Sequence, residues 1–253
     1  MPKILDLSTT LATFGFDPRP PQIVYWEHRE NARYYCRSSN VPLSAFPDQM
    51  ALAVEEVHAI THTGTHLDAP WHFGPTAEGK PAKTIDEVPL EWCFGDGVLL
   101  DFRHKKTGEV ITKDDLEAEL DRIAYTIKPG NIPLIMVLGR DLYLKDHNYP
   151  SLGAGLDGEA VLWLLDQGVK VMGTDAWSLD VPLSIMAREY REGKREHIWP
   201  AHFAGRIREY CHIEKLANLD QLPAPFGFKV ACFPVKIARA SAAWCRAVAI
   251  LED

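Results

Sequence analysis

Three histidines and an aspartate fall within eleven residues in the run Thr61-His62-Thr63-Gly64-Thr65-His66-Leu67-Asp68-Ala69-Pro70-Trp71-His72-Phe73. Gly64, Pro70 and three threonines oppose a helix across it, so an extended segment is expected. Side chains alternate faces in such a segment. His62, His66 and Asp68 therefore project to one side, with Gly64 between them leaving room for an ion or a substrate. Two imidazoles and a carboxylate form a three-ligand set suited to Zn²⁺ or Mn²⁺, with a coordination position left for water. Pro70 breaks the run, which sets His72 beside the ion as the group that takes a proton from that water. The competing readings are a polar loop whose histidines cap carbonyls, and a metal staple without catalysis. A chain of 253 residues builds its own core and has little need of a metal to fold.

The elements that must position this cluster read as a β-rich mixture. Short apolar runs predict strands at Ile4–Leu7, Ile23–Trp26, Ala51–His58, Gly97–Phe102, Ile132–Leu138, Lys170–Thr174, Phe228–Ile237 and Ala243–Leu251. Helices are expected over Lys113–Tyr125, with Thr112 as N-cap, and over Glu159–Gln167, with Asp157 near its cap and Gly168 as its stop. Leu183–Gly193 and Ala201–Tyr210 are weaker helical segments. Helices interspersed with single strands favour a mixed α/β fold, one domain over 1–253, over a doubly wound parallel sheet. Residues 1–50, rich in proline and aromatic residues, read as an irregular arm.

Composition narrows the function classes. A formal net charge of −8, with 27 Lys and Arg scattered along the chain, argues against nucleic acid and anionic membranes as partners. Five cysteines without a C-x-x-C pair give neither a disulfide framework nor a thiolate zinc site. No apolar stretch approaches the roughly 18 residues of a membrane span, and the first residues do not read as a signal peptide. A cytoplasmic protein is expected. Gly153-Ala154-Gly155-Leu156-Asp157-Gly158 matches a dinucleotide-binding fingerprint before a helix, but the polar stretch ahead of it carries Pro150 where that fingerprint requires a strand. No G-x-S-x-G nucleophile elbow is present. A catalytically dead small-molecule-binding protein would need the pocket but not His72.

The run His62-x-Gly64-Thr65-His66-x-Asp68-Ala69-Pro70-x-His72-Phe73 resembles the signature of the cyclase-like metal-dependent hydrolases, of the bacterial kynurenine formamidase and isatin hydrolase type. Asp6-Leu7-Ser8 resembles that family's opening strand, and Gly173-Thr174-Asp175-x-x-Ser178-Leu179-Asp180 its later strand and turn. The resemblance implies a swivelling β/β/α fold. It also implies metal binding by His62, His66 and Asp68, with His72 as proton acceptor. A downstream histidine and a glutamate twelve residues beyond it complete a second metal position in two-zinc members, and His202 and Glu214 have that spacing. Asp68 would then bridge the ions, and Glu214 would help orient the water. Read locally, His202 is a capping or surface histidine and Glu214 a solvated charge, and His212 is assigned no role.

The reaction expected is hydrolysis of an amide, formamide or lactam C–N bond of a small substrate, using one or two Zn²⁺ or Mn²⁺ ions. A lactone or cyclic ester is the alternative on the same site. Trp71, with Phe14, Phe16 and Trp26 of the arm, suggests a pocket for a planar ring. The resemblance implies a homodimer or homotetramer.

Overall fold

The computed structural model describes residues 2–13, 16–17 and 19–251. In chain order, β1 (Lys3–Asp6) is followed by β2 (Gln22–Trp26), α1 (His28–Ser39), β3 (Val54–His58), β4 (His66–Asp68) and the single turn α2 (Pro70–Phe73). Next come β5 (Thr76–Ala77), β6 (Lys80–Pro81), β7 (Phe94–Asp101), β8 (Val110–Ile111), α3 (Lys113–Arg122) and β9 (Ile132–Met136). Then follow β10 (Gly155–Leu156), α4 (Gly158–Asp166), β11 (Val171–Thr174), α5 (Leu183–Arg191), α6 (Pro200–Ile207) and β12 (Cys211–Glu214). The chain closes with β13 (Phe228–Ala231), β14 (Ala242–Trp244) and β15 (Val248–Leu251).

Nine of these strands form one sheet in the order β1-β15-β13-β7-β9-β11-β12-β4-β14. Its centre, β7 to β12, is parallel and its flanks are antiparallel, which makes it the mixed α/β arrangement expected. β9 and β11 are buried throughout, as strands covered on both faces must be, and their sequences are continuous apolar runs instead of alternations. Alternate residues feed opposite cores. Val98, Leu100 and Ile135 pack beneath α3 and α4 with Leu116, Leu120, Ala160 and Leu164, while Leu99, Leu134, Val171 and Ile213 meet Leu7 and Leu67 on the other face. The two helices start where predicted. Thr112 and Asp115 form a reciprocal capping box, and Asp157 Oδ1 accepts the Ala160 amide at 2.7 Å.

Four local readings differ from the structure. The stretch 1–50 holds, besides the expected strands β1 and β2, the twelve-residue α1; this helix is polar and lacks a side-chain cap, so neither periodicity nor a cap residue announced it. Pro70 opens a helical turn instead of only ending an extended run, because its fixed φ and missing N–H suit a first helical position. Ala243–Leu251 is two strands, β14 at one edge of the sheet and β15 near the other. Finally, β12 forms from Cys-His-Ile-Glu, which has no apolar run to mark it.

The glycines at 153–158 serve packing. A Cβ on Gly155 would lie 2.1 Å from the Val181 nitrogen and 2.2 Å from the Asp180 carbonyl carbon, so its absence lets the segment carrying Asp180 close over the sheet. A 3-10 turn at Tyr149–Ser151 stands where a nucleotide-binding fingerprint needs a strand.

Candidate metal centre

The centre is a cross-strand pairing. β12 runs antiparallel to β4 with His212 opposite Asp68 and Glu214 opposite His66. The i, i+2 rule that puts His66 and Asp68 on one face of β4 does the same for His212 and Glu214 on β12. All four side chains therefore converge, and all four are buried. His62 arrives from the turn before β4, where Gly64 adopts φ +64°, a conformation that glycine enters without a Cβ clash. His72 comes from α2 and His202 from the first turn of α6. Thus the structure brings together His62, His66, Asp68, His72, His202 and Glu214, and adds His212.

Around Asp68 the imidazoles divide by oxygen. His62 Nδ1 and His66 Nε2 lie 2.8 and 3.2 Å from Oδ1, while His212, His72 and His202 Nε2 lie 3.0, 3.7 and 3.9 Å from Oδ2. Glu214 is split likewise, with Oε2 3.6 Å from His66 and Oε1 3.4 and 3.6 Å from His212 and His202. Two metal-sized groupings share Asp68: one with His202, His212 and Glu214, the other with His62 and His72.

Four of the five rings have their outward nitrogen committed elsewhere. His66 Nδ1 donates to the Gly64 carbonyl at 2.8 Å, His202 Nδ1 to Asp180 Oδ2 at 2.6 Å, His212 Nδ1 to Tyr210 Oη at 3.2 Å, and His62 Nε2 to Ser241 Oγ at 3.1 Å. The Gly64 and Asp180 oxygens only accept, and the Tyr210 hydroxyl gives its proton to the Ala201 carbonyl. In the neutral rings these three bonds therefore fix a tautomer whose inward nitrogen carries a lone pair, as outer hydrogen bonds do for metal-binding histidines, and the Ser241 hydroxyl suits the same tautomer of His62. Asp180 also accepts the Ala201 and His202 amides at 2.9 and 3.1 Å, which anchors α6. Tyr210 stacks on Phe73 with centroids 4.9 Å apart. His72 is half-exposed and carries no such tether among the described contacts.

The donor set fits a divalent cation. Both Asp68 oxygens and His212 Nε2 are buried yet make no hydrogen bond of acceptable geometry, an arrangement costly to bury unless something else satisfies those atoms. His62 Nδ1 and His66 Nε2 stand 3.2 Å apart, two lone-pair nitrogens that a cation between them would reconcile. Ligands bound at the roughly 2.1 Å typical of zinc lie about 3.0–3.4 Å from one another, close to the separations seen.

Charge follows the same lines. Burial alone would raise Asp68, but the imidazoles of His66, His72 and His62 hold it well below the usual carboxylate range. Burial likewise works against ionised Glu214, which the adjacent imidazoles of His212 and His202 outweigh, bringing it to about 2. His212 is pushed up to about 9: burial lowers it, and the two carboxylates more than compensate. His72 moves the other way, to about 4, through burial opposed by Asp68 and reinforced by His62 and His202. Burial draws the Lys215 ammonium below its ordinary value, against the pull of Glu214 and Asp17.

A cavity of about 730 Å³ opens above the cluster, with His62, His72, His202 and Glu214 at its base and Trp177, Leu183, Trp199 and Phe203 among its walls. Asp17 and Arg19 of the arm reach its rim. Trp71 is 44% exposed on α2 and does not line this cavity. Phe16 and Trp26 are exposed and also lie off it, and Phe14 lies outside the described residues. His212, Trp177 and Trp199 are the residues that sequence reasoning missed. For His212 the signal was the alternation His-x-Glu, the counterpart of His-x-Asp in β4.

The chain is similar to known proteins along most of its length. The profile of the Cyclase family, described as "Putative cyclase", matches residues 5–181, which include His62 to His72 and stop short of His202. The kynurenine formamidase of Salinibacter ruber (strain DSM 13855 / M31) is 26% identical over 204 residues, 79% of this chain and 81% of that protein. That of Erythrobacter litoralis (strain HTCC2594) is 28% identical over 193 residues, 74% and 72% of the two chains. Isatin hydrolase A from Ralstonia solanacearum superposes with a TM-score of 0.78 at 23% identity, covering 99% of this chain and 92% of its own. An isatin hydrolase bound to the product analogue thioisatinate gives 0.76 at 18% identity, with 100% and 93% covered.

Proposed function

The chain belongs to the Cyclase family, and from that premise and the geometry of the site we propose that it is a metal-dependent hydrolase of amide, formamide or lactam C–N bonds in small aromatic substrates. The observation that carries this reading is Asp68, whose two buried, unbonded oxygens face opposite groups of imidazoles. His62 and His66 would hold an ion beside Asp68 Oδ1, and His202 and His212 one beside Oδ2, with Glu214 as a further carboxylate donor. The nitrogen and carboxylate donors suit zinc or manganese.

A divalent ion bound here supplies acidity to a water and polarises the scissile carbonyl. His72 Nε2, untethered and at the base of the cavity, accepts the water's proton and returns it to the leaving nitrogen. Glu214 helps aim the water, its Oε1 steadied by the Leu179 amide at 3.3 Å. Trp177 and Trp199 hold a planar ring, and the apolar walls exclude bulk water from it. Trp71 stands at the periphery.

Two further assignments complete the proposal. No described helix is long and apolar enough to cross a membrane, and all five cysteines are free, which suits a reducing cytoplasm. Val24, Tyr25 and Trp26 are exposed on the arm and Leu52 just beyond it, which suits a homodimer or homotetramer. The experiment is a screen of formanilides, isatin-like lactams and lactones against protein as purified, stripped by chelator, and resupplied with Zn²⁺ or Mn²⁺. Activity on the C–N substrates is expected to vanish on stripping and to return with the metal. Full turnover by stripped protein would contradict the proposal.

A further inference from the structure

Lys215 follows Glu214 in the chain and takes no part in the cluster above. We infer that Lys215 is the anchor for a carboxylate on the substrate, held in the cavity beside Trp177, so that the enzyme selects anionic aryl amides over neutral ones. The kinetic side of this inference rests on the hydrolase reading; the binding side does not.

Lys215 is only 3% exposed yet lines the cavity together with His62, His72 and Trp177. Its Nζ donates to the His62 carbonyl at 2.7 Å and sits 4.0 Å from the centre of the Trp177 ring. An ammonium has three donors, and the carbonyl takes one. Among the described residues it forms no ion pair with a carboxylate. The nearby acids are engaged elsewhere: Asp17 with the Tyr143 hydroxyl, Asp180 with His202 and the α6 amides, Glu214 with the imidazoles. Arg19, the other cation of this cavity, stands at the exposed rim. A cation buried with no carboxylate in contact is expensive, and a ligand carboxylate entering the cavity would supply that contact, beyond the longer-range pull of Glu214, Asp17 and Asp68.

The backbone points the same way. Lys215 adopts φ +59°, a region unfavourable for a side chain with a Cβ and held only where the surroundings enforce it. Here they do, since its amide donates to the Ala176 carbonyl at 3.0 Å and its carbonyl accepts the Thr65 hydroxyl at 2.6 Å. A glycine would occupy this position without strain, so a long cationic side chain kept there and directed into the cavity calls for a use. A ring resting against Trp177 would bring an attached carboxylate to Nζ.

The hydrogen bond to His62 offers a rival role, that of a positioning residue for a metal ligand, and the test must separate the two. Metal-loaded wild type, Lys215→Met and Lys215→Gly would be compared on 2-formamidobenzoate and formanilide, with benzoate and benzamide binding followed by calorimetry. Glycine suits the backbone and serves if the Met variant fails to fold. Wild type is expected to favour 2-formamidobenzoate in kcat/KM and benzoate in affinity by about tenfold or more, the value of a charge-assisted hydrogen bond, and both variants to lose most of each preference. Equal losses on both substrates with the preference intact, or benzoate affinity unchanged in the variants, would overturn the anchor. If wild type turns over neither formyl compound, the formamide part of the hydrolase reading fails by itself, and benzoate affinity still decides the role of Lys215.

Discussion

β4 and β12 differ from α2 in what they do with polar side chains. On the paired strands His66, Asp68, His212 and Glu214 are buried, their positions are set by strand register, and both histidines have their outer nitrogens tied. On α2, one turn long and adjacent to β4, His72 and Trp71 are exposed and untethered among the described contacts. A rigid, buried, hydrogen-bonded floor is what holding a cation demands, whereas a side chain that must give and take protons needs access to the cavity and freedom from competing bonds. The division of labour proposed here, floor for metal and wall for proton transfer, follows from that contrast.

The contrast can be broken first at its centre. Asp68→Asn removes the charge shared by the two groups of imidazoles, and both metal content and activity are expected to collapse, kcat falling about 10³-fold or more as metal assistance is lost; elemental analysis together with turnover checks it. Next in size, His72→Ala is expected to lower kcat about 10²–10⁴-fold while the bound metal stays. If His72→Ala and His66→Ala lose metal equally, wall and floor are not distinct. Tyr210→Phe leaves every proposed ligand in place and removes the acceptor of His212 Nδ1 together with the bond its hydroxyl donates to the Ala201 carbonyl at 2.8 Å, so metal affinity is expected to drop about 10–100-fold in a competition titration with a chelator. An unchanged affinity would mean that the tether does not matter. Smallest of all, Trp71→Ala is expected to leave stability within about 0.5 kcal/mol and kcat/KM within about twofold, as for an exposed side chain. A tenfold loss in kcat/KM would extend the substrate wall out to α2.

How much of this was legible in the sequence tracks the same division. The cores beneath α3 and α4, the caps at Thr112 and Asp157, and the strands β9 and β11 follow from apolar runs and cap chemistry, which are local. His62, His66, Asp68 and His72 were visible because they crowd one short segment. His202 and Glu214 were visible only through family resemblance, since nothing local ties a helix near residue 200 to a strand near residue 65. His212 was missed because Cys-His-Ile-Glu has alternation but no apolar run, and Asp68, its partner by register, lies 144 positions away, a non-local pairing. Similarly, Trp71 drew attention by sitting inside the motif, while Trp177 and Trp199 reach the cavity only once β11, α5 and α6 are assembled around it.

The central claim is that the Asp68 carboxylate faces a cation on each side, and anomalous diffraction from crystals of the Zn²⁺- or Mn²⁺-loaded protein tests it most directly. Two peaks about 3.5–4 Å apart, the usual spacing of two-metal sites, are expected, one among His62, His66 and Asp68 Oδ1 and one among His202, His212 and Asp68 Oδ2. No peak at Asp68, or a single peak confined to one oxygen, would contradict the account.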